Sequence, residues 1–125
     1  MSSLEPKTIL TVDDSRTMRD MLRLALVEAG YRVVQAIDGV EGLKLLEVER
    51  ADVIITDINM PNLDGVGFIE TVRGDARHRA TPILVLTTES EPVLKDRARQ
   101  AGATGWIVKP FNPTKLVDAI RRVAA

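Results

Sequence analysis

The chain has 125 residues, enough for one domain with a real core, and its 45% hydrophobic and 28% charged shares exclude a disordered chain. With no cysteine there is neither a disulfide framework nor a thiolate metal site, and a net charge of −1 with no basic cluster argues against a nucleic-acid partner. The apolar runs are too short to span a bilayer, and the opening "MSSLEPK" lacks a signal peptide's basic-then-apolar pattern, so a cytoplasmic protein off the membrane is the simplest reading.

Strand and helix alternate five times, with no repeat, low-complexity tract or linker. "KTILTV" reads as a buried strand. Ser15 then offers an N-cap to a helix whose Met18, Met21, Leu22, Ala25, Leu26 and Ala29 recur at helical spacing, and Gly30 ends it in a left-handed turn. "YRVVQA" is a second strand, and Asp38 with Glu41 makes a capping box for a helix that turns Val40, Leu43 and Leu46 inward. "ADVIITD" is apolar on both faces, as a central parallel strand should be. Asp64 caps the third helix, with Phe68, Ile69 and Val72 on one side. "PILVLT" is the fourth strand, followed by a helix from about Glu91 to Ala101 that Gly102 stops. "GWIVK" is the fifth. Asn112 as N-cap and Pro113 in the first turn open a last helix that buries Leu116, Ile120 and Val123. The methionines fall mostly on core-facing positions, and His78, in the polar stretch "GDARHRATP", reads as a solvated loop residue.

Short apolar strands separated by amphipathic helices imply right-handed crossovers and a parallel α/β sheet covered on both faces, within one domain over residues 1–125 led by a short tail at 1–6. Such sheets bind ligands beyond the carboxyl ends of their strands. The first strand ends in Asp13 and Asp14, the third in Asp57, the fourth in Thr87, Thr88 and Glu89, and the fifth in Lys109 and Pro110. Crowded carboxylates repel one another and destabilise the fold unless a cation joins them. Oxygen ligands alone select a hard cation, and magnesium, which keeps several waters and needs few carboxylates, fits best. One "DD" would be read as a helix cap; the same chemistry at four strand ends points to a site.

The set "VDDS", "ITDINMPNLDG", "TT" and "VKPF" resembles the receiver domain of two-component response regulators over nearly the whole chain, most closely the single-domain chemotaxis regulators. The resemblance implies a doubly wound five-stranded sheet in the order 2-1-3-4-5 with five helices. It implies that Asp57 accepts a phosphoryl group from a histidine kinase, and that Asp14, Asp57 and the backbone carbonyl of Asn59 hold magnesium, with Asp13 acting through its waters. Lys109 would pair with Asp57 or the phosphoryl oxygens, and Thr87 would hydrogen-bond a phosphoryl oxygen. Asn59 and Glu89 would flank the path of the hydrolytic water. The bond between Lys109 and Pro110 would be cis. The fifth strand and its flanking helices would form the output surface, for a partner such as a flagellar motor switch component. One departure stands out: receivers usually carry Tyr or Phe where this chain has Trp106, the aromatic that moves inward when Thr87 is drawn to the phosphoryl group.

Because the last helix ends the sequence, the expectation is a stand-alone switch in chemotaxis, or a phosphate sink in another pathway, that catalyses its own phosphorylation and dephosphorylation rather than turnover. A magnesium-dependent aspartyl phosphatase also uses a strand-end Asp, but needs an acid where this chain has Asn59. A flavodoxin-like flavin carrier would cradle phosphate in its first loop, and "DDS" would repel it.

Overall fold

The computed structural model describes residues 5–124, so most of the expected lead over residues 1–6 lies outside it. Five parallel strands form one sheet in the order β2-β1-β3-β4-β5. They are β1 (Thr8–Val12), β2 (Arg32–Ala36), β3 (Val53–Thr56), β4 (Ile83–Thr87) and β5 (Gly105–Val108). The helices between and after them are α1 (Arg16–Glu28), α2 (Gly39–Val48), α3 (Gly65–Gly74), α4 (Pro92–Ala101) and α5 (Pro113–Val123). Every strand and helix anticipated above is present.

The two-residue alternation of side chains explains why the central strands are apolar throughout. Leu10, Val12, Ile54, Ile83 and Val85 point to one face, where they meet Leu46, Phe68, Ile69, Val72 and Ala98 of α2, α3 and α4. Ile9, Val53, Ile55, Leu84 and Leu86 point to the other and meet Leu22 and Leu26 of α1 with Leu116 and Ile120 of α5. Phe68 is fully enclosed, and its truncation to Ala would cost about 3–5 kcal/mol.

The helices start and stop where local chemistry dictates. The side chains of Ser15, Asp38, Asp64 and Asn112 accept hydrogen bonds from the backbone N–H of Met18, Glu41, Gly67 and Lys115. Gly30 (φ 94°) and Gly102 (φ 119°) take the left-handed conformation that ends α1 and α4.

Three expectations about burial need correction. His78 is buried, not solvated: it closes a short 3₁₀ turn, Ala76–His78, and its Nε2 has no hydrogen-bond partner. Met21 and Val40, expected to face the core, are exposed at 45% and 40%, since helical spacing fixes a face but not how much of it is covered. Among the described helices none is long and apolar enough to cross a membrane.

Candidate functional site

The chain reverses its direction of travel across the sheet between β1 and β3, which opens the crevice where doubly wound folds bind ligands. Val12 pairs with Thr56 there, so Asp13 and Asp57 leave the sheet side by side. Asp57 N–H donates to the Val12 carbonyl at 3.0 Å. Asp13 and Asp57 are buried and Asp14 is exposed, and the three offer carboxylate oxygens within 4.8 Å of one another.

Lys109 follows β5 and lies across this cluster. Its Nζ donates to Asp13 Oδ2 and Asp57 Oδ2, each at 2.8 Å. Burial alone would lower the pKa of this ammonium, but hydrogen bonds and charge from Asp13 and Asp57 more than offset it, and the value is raised from 10.5. The other carboxylate oxygens have backbone donors: Ser15 N–H reaches Asp13 Oδ1 at 2.9 Å and Ile58 N–H reaches Asp57 Oδ1 at 2.6 Å. Among the described residues, nothing donates to the Asp14 carboxylate. Three carboxylates thus face one ammonium.

The start of α3 presses directly on the turn that carries Asp57. Gly65 N–H donates to the Ile58 carbonyl at 2.8 Å, and a Cβ on Gly65 would lie 2.7 Å from Ile58 Cα and against the Asp57 carbonyl.

The remaining sequence candidates form a second group on the same rim. Thr87 is fully buried at the end of β4, its carbonyl accepts from Lys109 N–H at 2.8 Å, and its Oγ1 accepts from Glu89 N–H at 3.3 Å. Asn59 Nδ2 donates to Glu89 Oε1 at 2.9 Å. Trp106 Nε1 donates to the Glu89 carbonyl at 3.2 Å. Glu89 therefore ties the loop after β3 to the loop after β4 and to the aromatic ring of β5. The Lys109–Pro110 bond is cis, as the resemblance implied.

Two residues of the rim escaped the sequence reading. Arg19 Nη1 donates to the Asp13 carbonyl at 2.8 Å, and Gln35 Nε2 donates to the Arg19 carbonyl at 2.9 Å. No spacing rule connects a strand end, a helix and the neighbouring edge strand. Only the folded chain brings them together.

A parallel sheet in this strand order, with an acidic crevice and a lysine clasp at its carboxyl rim, is a doubly wound fold whose charged groups gather where such folds bind ligands. The family model for the response regulator receiver domain matches residues 9–121, and the chain belongs to that family. A probable chemotaxis protein CheY from Rhizobium etli is 36% identical over 124 residues, covering 98% of this chain and 96% of that one. The crystallised chemotaxis protein CheY4 of Vibrio cholerae superposes with a TM-score of 0.91 at 46% identity, covering 94% of this chain and 98% of that one. The receiver domain of a Pseudomonas aeruginosa sensor histidine kinase, solved with a magnesium ion coordinated in its active-site cleft, superposes with a TM-score of 0.89 at 28% identity, covering 95% and 98%. Receiver domains as a class depend on phosphorylation and magnesium, and work between a histidine kinase and a downstream target.

Proposed function

We propose that Asp57 is the phosphoryl acceptor of this receiver and that Asp14, Asp57 and the Asn59 backbone carbonyl hold a magnesium ion, with Asp13 acting through its waters. The observation that carries the reading is the Lys109 ammonium set 2.8 Å from both Asp13 and Asp57 inside a cluster of three carboxylates. The donor set suits the ion: it is all oxygen, it is short of positive charge, and Asp14 has no competing donor. A magnesium ion held there would supply positive charge to the transferring phosphoryl oxygens.

The protein's own part is alignment. A carboxylate oxygen of Asp57 attacks the phosphorus of a phosphohistidine; a P–O bond forms, the P–N bond breaks, and the departing imidazole nitrogen takes up a proton. The Ile58 N–H, 2.6 Å from Asp57 Oδ1, fixes the carboxylate plane so that attack needs no rotation. Lys109 then follows the negative charge from the carboxylate to the phosphoryl oxygens. Thr87, which spends its hydroxyl acceptor on Glu89 N–H at 3.3 Å, exchanges that weak bond for one to the phosphoryl group. Asn59 and Glu89 are polar, bonded to each other and open to water, so the aspartyl phosphate is short-lived.

Membership of the receiver family and likeness to the chemotaxis proteins of Rhizobium etli and Vibrio cholerae support a role in chemotaxis, which would be exercised in the cytoplasm. The output partner would be a component such as the flagellar motor switch, on the face made by β5, α4 and α5. The test is direct. Incubated with labelled acetyl phosphate and magnesium, the protein incorporates label; Asp57→Asn incorporates none, and chelation of magnesium stops the reaction. Equal labelling of Asp57→Asn would overturn the assignment.

A further inference from the structure

We propose that Arg19, braced by Gln35, is a positioning residue of the acidic rim: it fixes the turn after β1 so that Asp14 is presented to the metal before the metal arrives. The inference rests on the magnesium reading above and extends it to residues outside the cluster.

Every polar atom of Asp13 is engaged. Its N–H donates to the Ala36 carbonyl at 3.1 Å, Oδ1 accepts from Ser15, Oδ2 accepts from Lys109, and its carbonyl accepts from Arg19 Nη1 at 2.8 Å. That carbonyl belongs to the peptide plane joining Asp13 to Asp14. A peptide unit is rigid, so holding its oxygen also sets the direction in which the Asp14 Cα leaves it. Asp14 has no bond of its own among the described residues, so the plane is its main restraint. The side chain doing this is unusual in its choice of partner. Arg19 sits on α1 among Asp13, Asp14 and Asp20, yet among the described residues it forms no ion pair and gives its charge-assisted bond to a neutral carbonyl. It is used as a clamp, not as a counter-ion.

The clamp is anchored from behind. Gln35 projects from β2 and its amide donates to Arg19's own carbonyl at 2.9 Å. Gln35 thus holds the first turns of α1 against the sheet edge, and Arg19 passes that restraint to the rim. Two effects of the guanidinium oppose each other. Its positive charge repels a divalent ion, whereas its hydrogen bond presents the ligand. Arg19 is only half-buried, so solvent weakens its repulsion of the ion, whereas its 2.8 Å hydrogen bond is short and directed; on this proposal presentation outweighs repulsion.

The experiment measures magnesium affinity directly, through the magnesium-dependent shift in thermal midpoint and through Trp106 emission, and compares the magnesium KM with kcat for labelling by acetyl phosphate. Arg19→Met is expected to weaken magnesium binding about five- to tenfold, the loss of one charge-assisted hydrogen bond. Arg19→Lys, which keeps one donor, recovers part of it. Gln35→Glu has the same shape but cannot donate, and is expected to weaken binding about two- to threefold. The double variant binds no more weakly than Arg19→Met alone, because both act through one joint. A merely structural role would lower the midpoint equally with and without magnesium and leave the KM unchanged, which overturns the proposal. Magnesium bound as tightly or more tightly by Arg19→Met also overturns it, and so do additive losses in the double variant. If Arg19→Met does not fold, the same criteria apply to Arg19→Lys and Gln35→Glu. A wild type that does not respond to magnesium removes the metal reading itself, a different failure that Asp14→Ala identifies.

Discussion

The two ends of the sheet differ in how they settle their charges. At the amino end a cleft of about 670 Å³ is lined by Lys7, Arg50, Asp52, Arg77, His78 and Pro82 among others. Two one-to-one ion pairs lie in and beside it. Arg32 grips Glu49 through two bonds of 3.0 and 3.1 Å, and Arg77 holds Asp75 at 2.6 Å. Hydrogen bonds from these guanidinium groups hold the Glu49 and Asp75 carboxyls below their usual values. Asp52 accepts from Thr8 N–H at 2.7 Å. At the carboxyl end Lys109 bridges Asp13 and Asp57, and Asp14 beside them has no cation among the described residues. The ion pairs at the amino end match one guanidinium to one carboxylate, whereas the carboxyl rim sets three carboxylates against one ammonium. That imbalance marks the candidate site.

Removing a partner at each end tests that contrast. Lys109→Met leaves Asp13 and Asp57 buried without their cation, and is expected to destabilise the magnesium-free protein by about 3 kcal/mol at neutral pH, with part of the loss restored by magnesium. Because the Lys109 pKa is raised in the folded state, its contribution is complete below pH 10.5 and fades as pH rises through the higher folded value. Urea denaturation at pH 7 with and without magnesium measures this, and equal stability of variant and wild type would break the comparison. The matching change at the other end, Glu49→Gln, removes an exposed pair, and is expected to shift stability far less than Lys109→Met, with no magnesium dependence.

The metal term is smaller than the lysine term. Magnesium at about ten times its dissociation constant should stabilise the wild type by about 1.4 kcal/mol. Asp14→Ala should lose that gain while becoming more stable than the wild type without metal, since one repelling carboxylate is gone. Equal magnesium shifts in the two proteins would show that the rim holds no ion. Next in size is the lifetime of the phosphoryl group. Asn59→Arg breaks the bond to Glu89 and fills the water path, and should slow phosphate release several-fold from the isolated phosphoprotein; an unchanged rate would free Asn59 of that role. The smallest effect is spectral. Trp106 is the only tryptophan and donates to the carbonyl of Glu89, so its emission should change when beryllofluoride and magnesium are added. The change should vanish in Asp57→Asn. A silent indole in a fully occupied protein would leave the loop before α4 to carry the signal alone.

Much of this was legible in the sequence because it is local. Caps at Ser15, Asp38, Asp64 and Asn112 act within three residues, and the strands announce themselves by apolar runs bounded by turn residues. The rim candidates were legible for a less local reason: in a parallel sheet all strand ends meet on one side, so the residues after each strand must be neighbours. The strand order itself came from resemblance, not from periodicity. What sequence could not supply depends on who covers whom. Polar neighbours hid the burial of His78, and helical spacing placed Met21 and Val40 inward although both stay substantially exposed. The bond from Asn59 to Glu89 spans 30 residues, and that from Gln35 to Arg19 spans 16, with no periodic signature in between.

Gly65 gives the rim a vulnerability of another kind. It is neither an acid, a ligand nor a hydrogen-bonding side chain, and an inventory of charges would pass it over. Yet its missing Cβ leaves the room in which the first turn of α3 lies against Asp57 and Ile58. One methyl group there would act as a wedge, prising the Asp57 peptide away from the strand beside it while every charge stayed in place. The aim of the acid is thus set by an empty space eight positions further along the chain, and that space is as much a part of the site as the carboxylates around it.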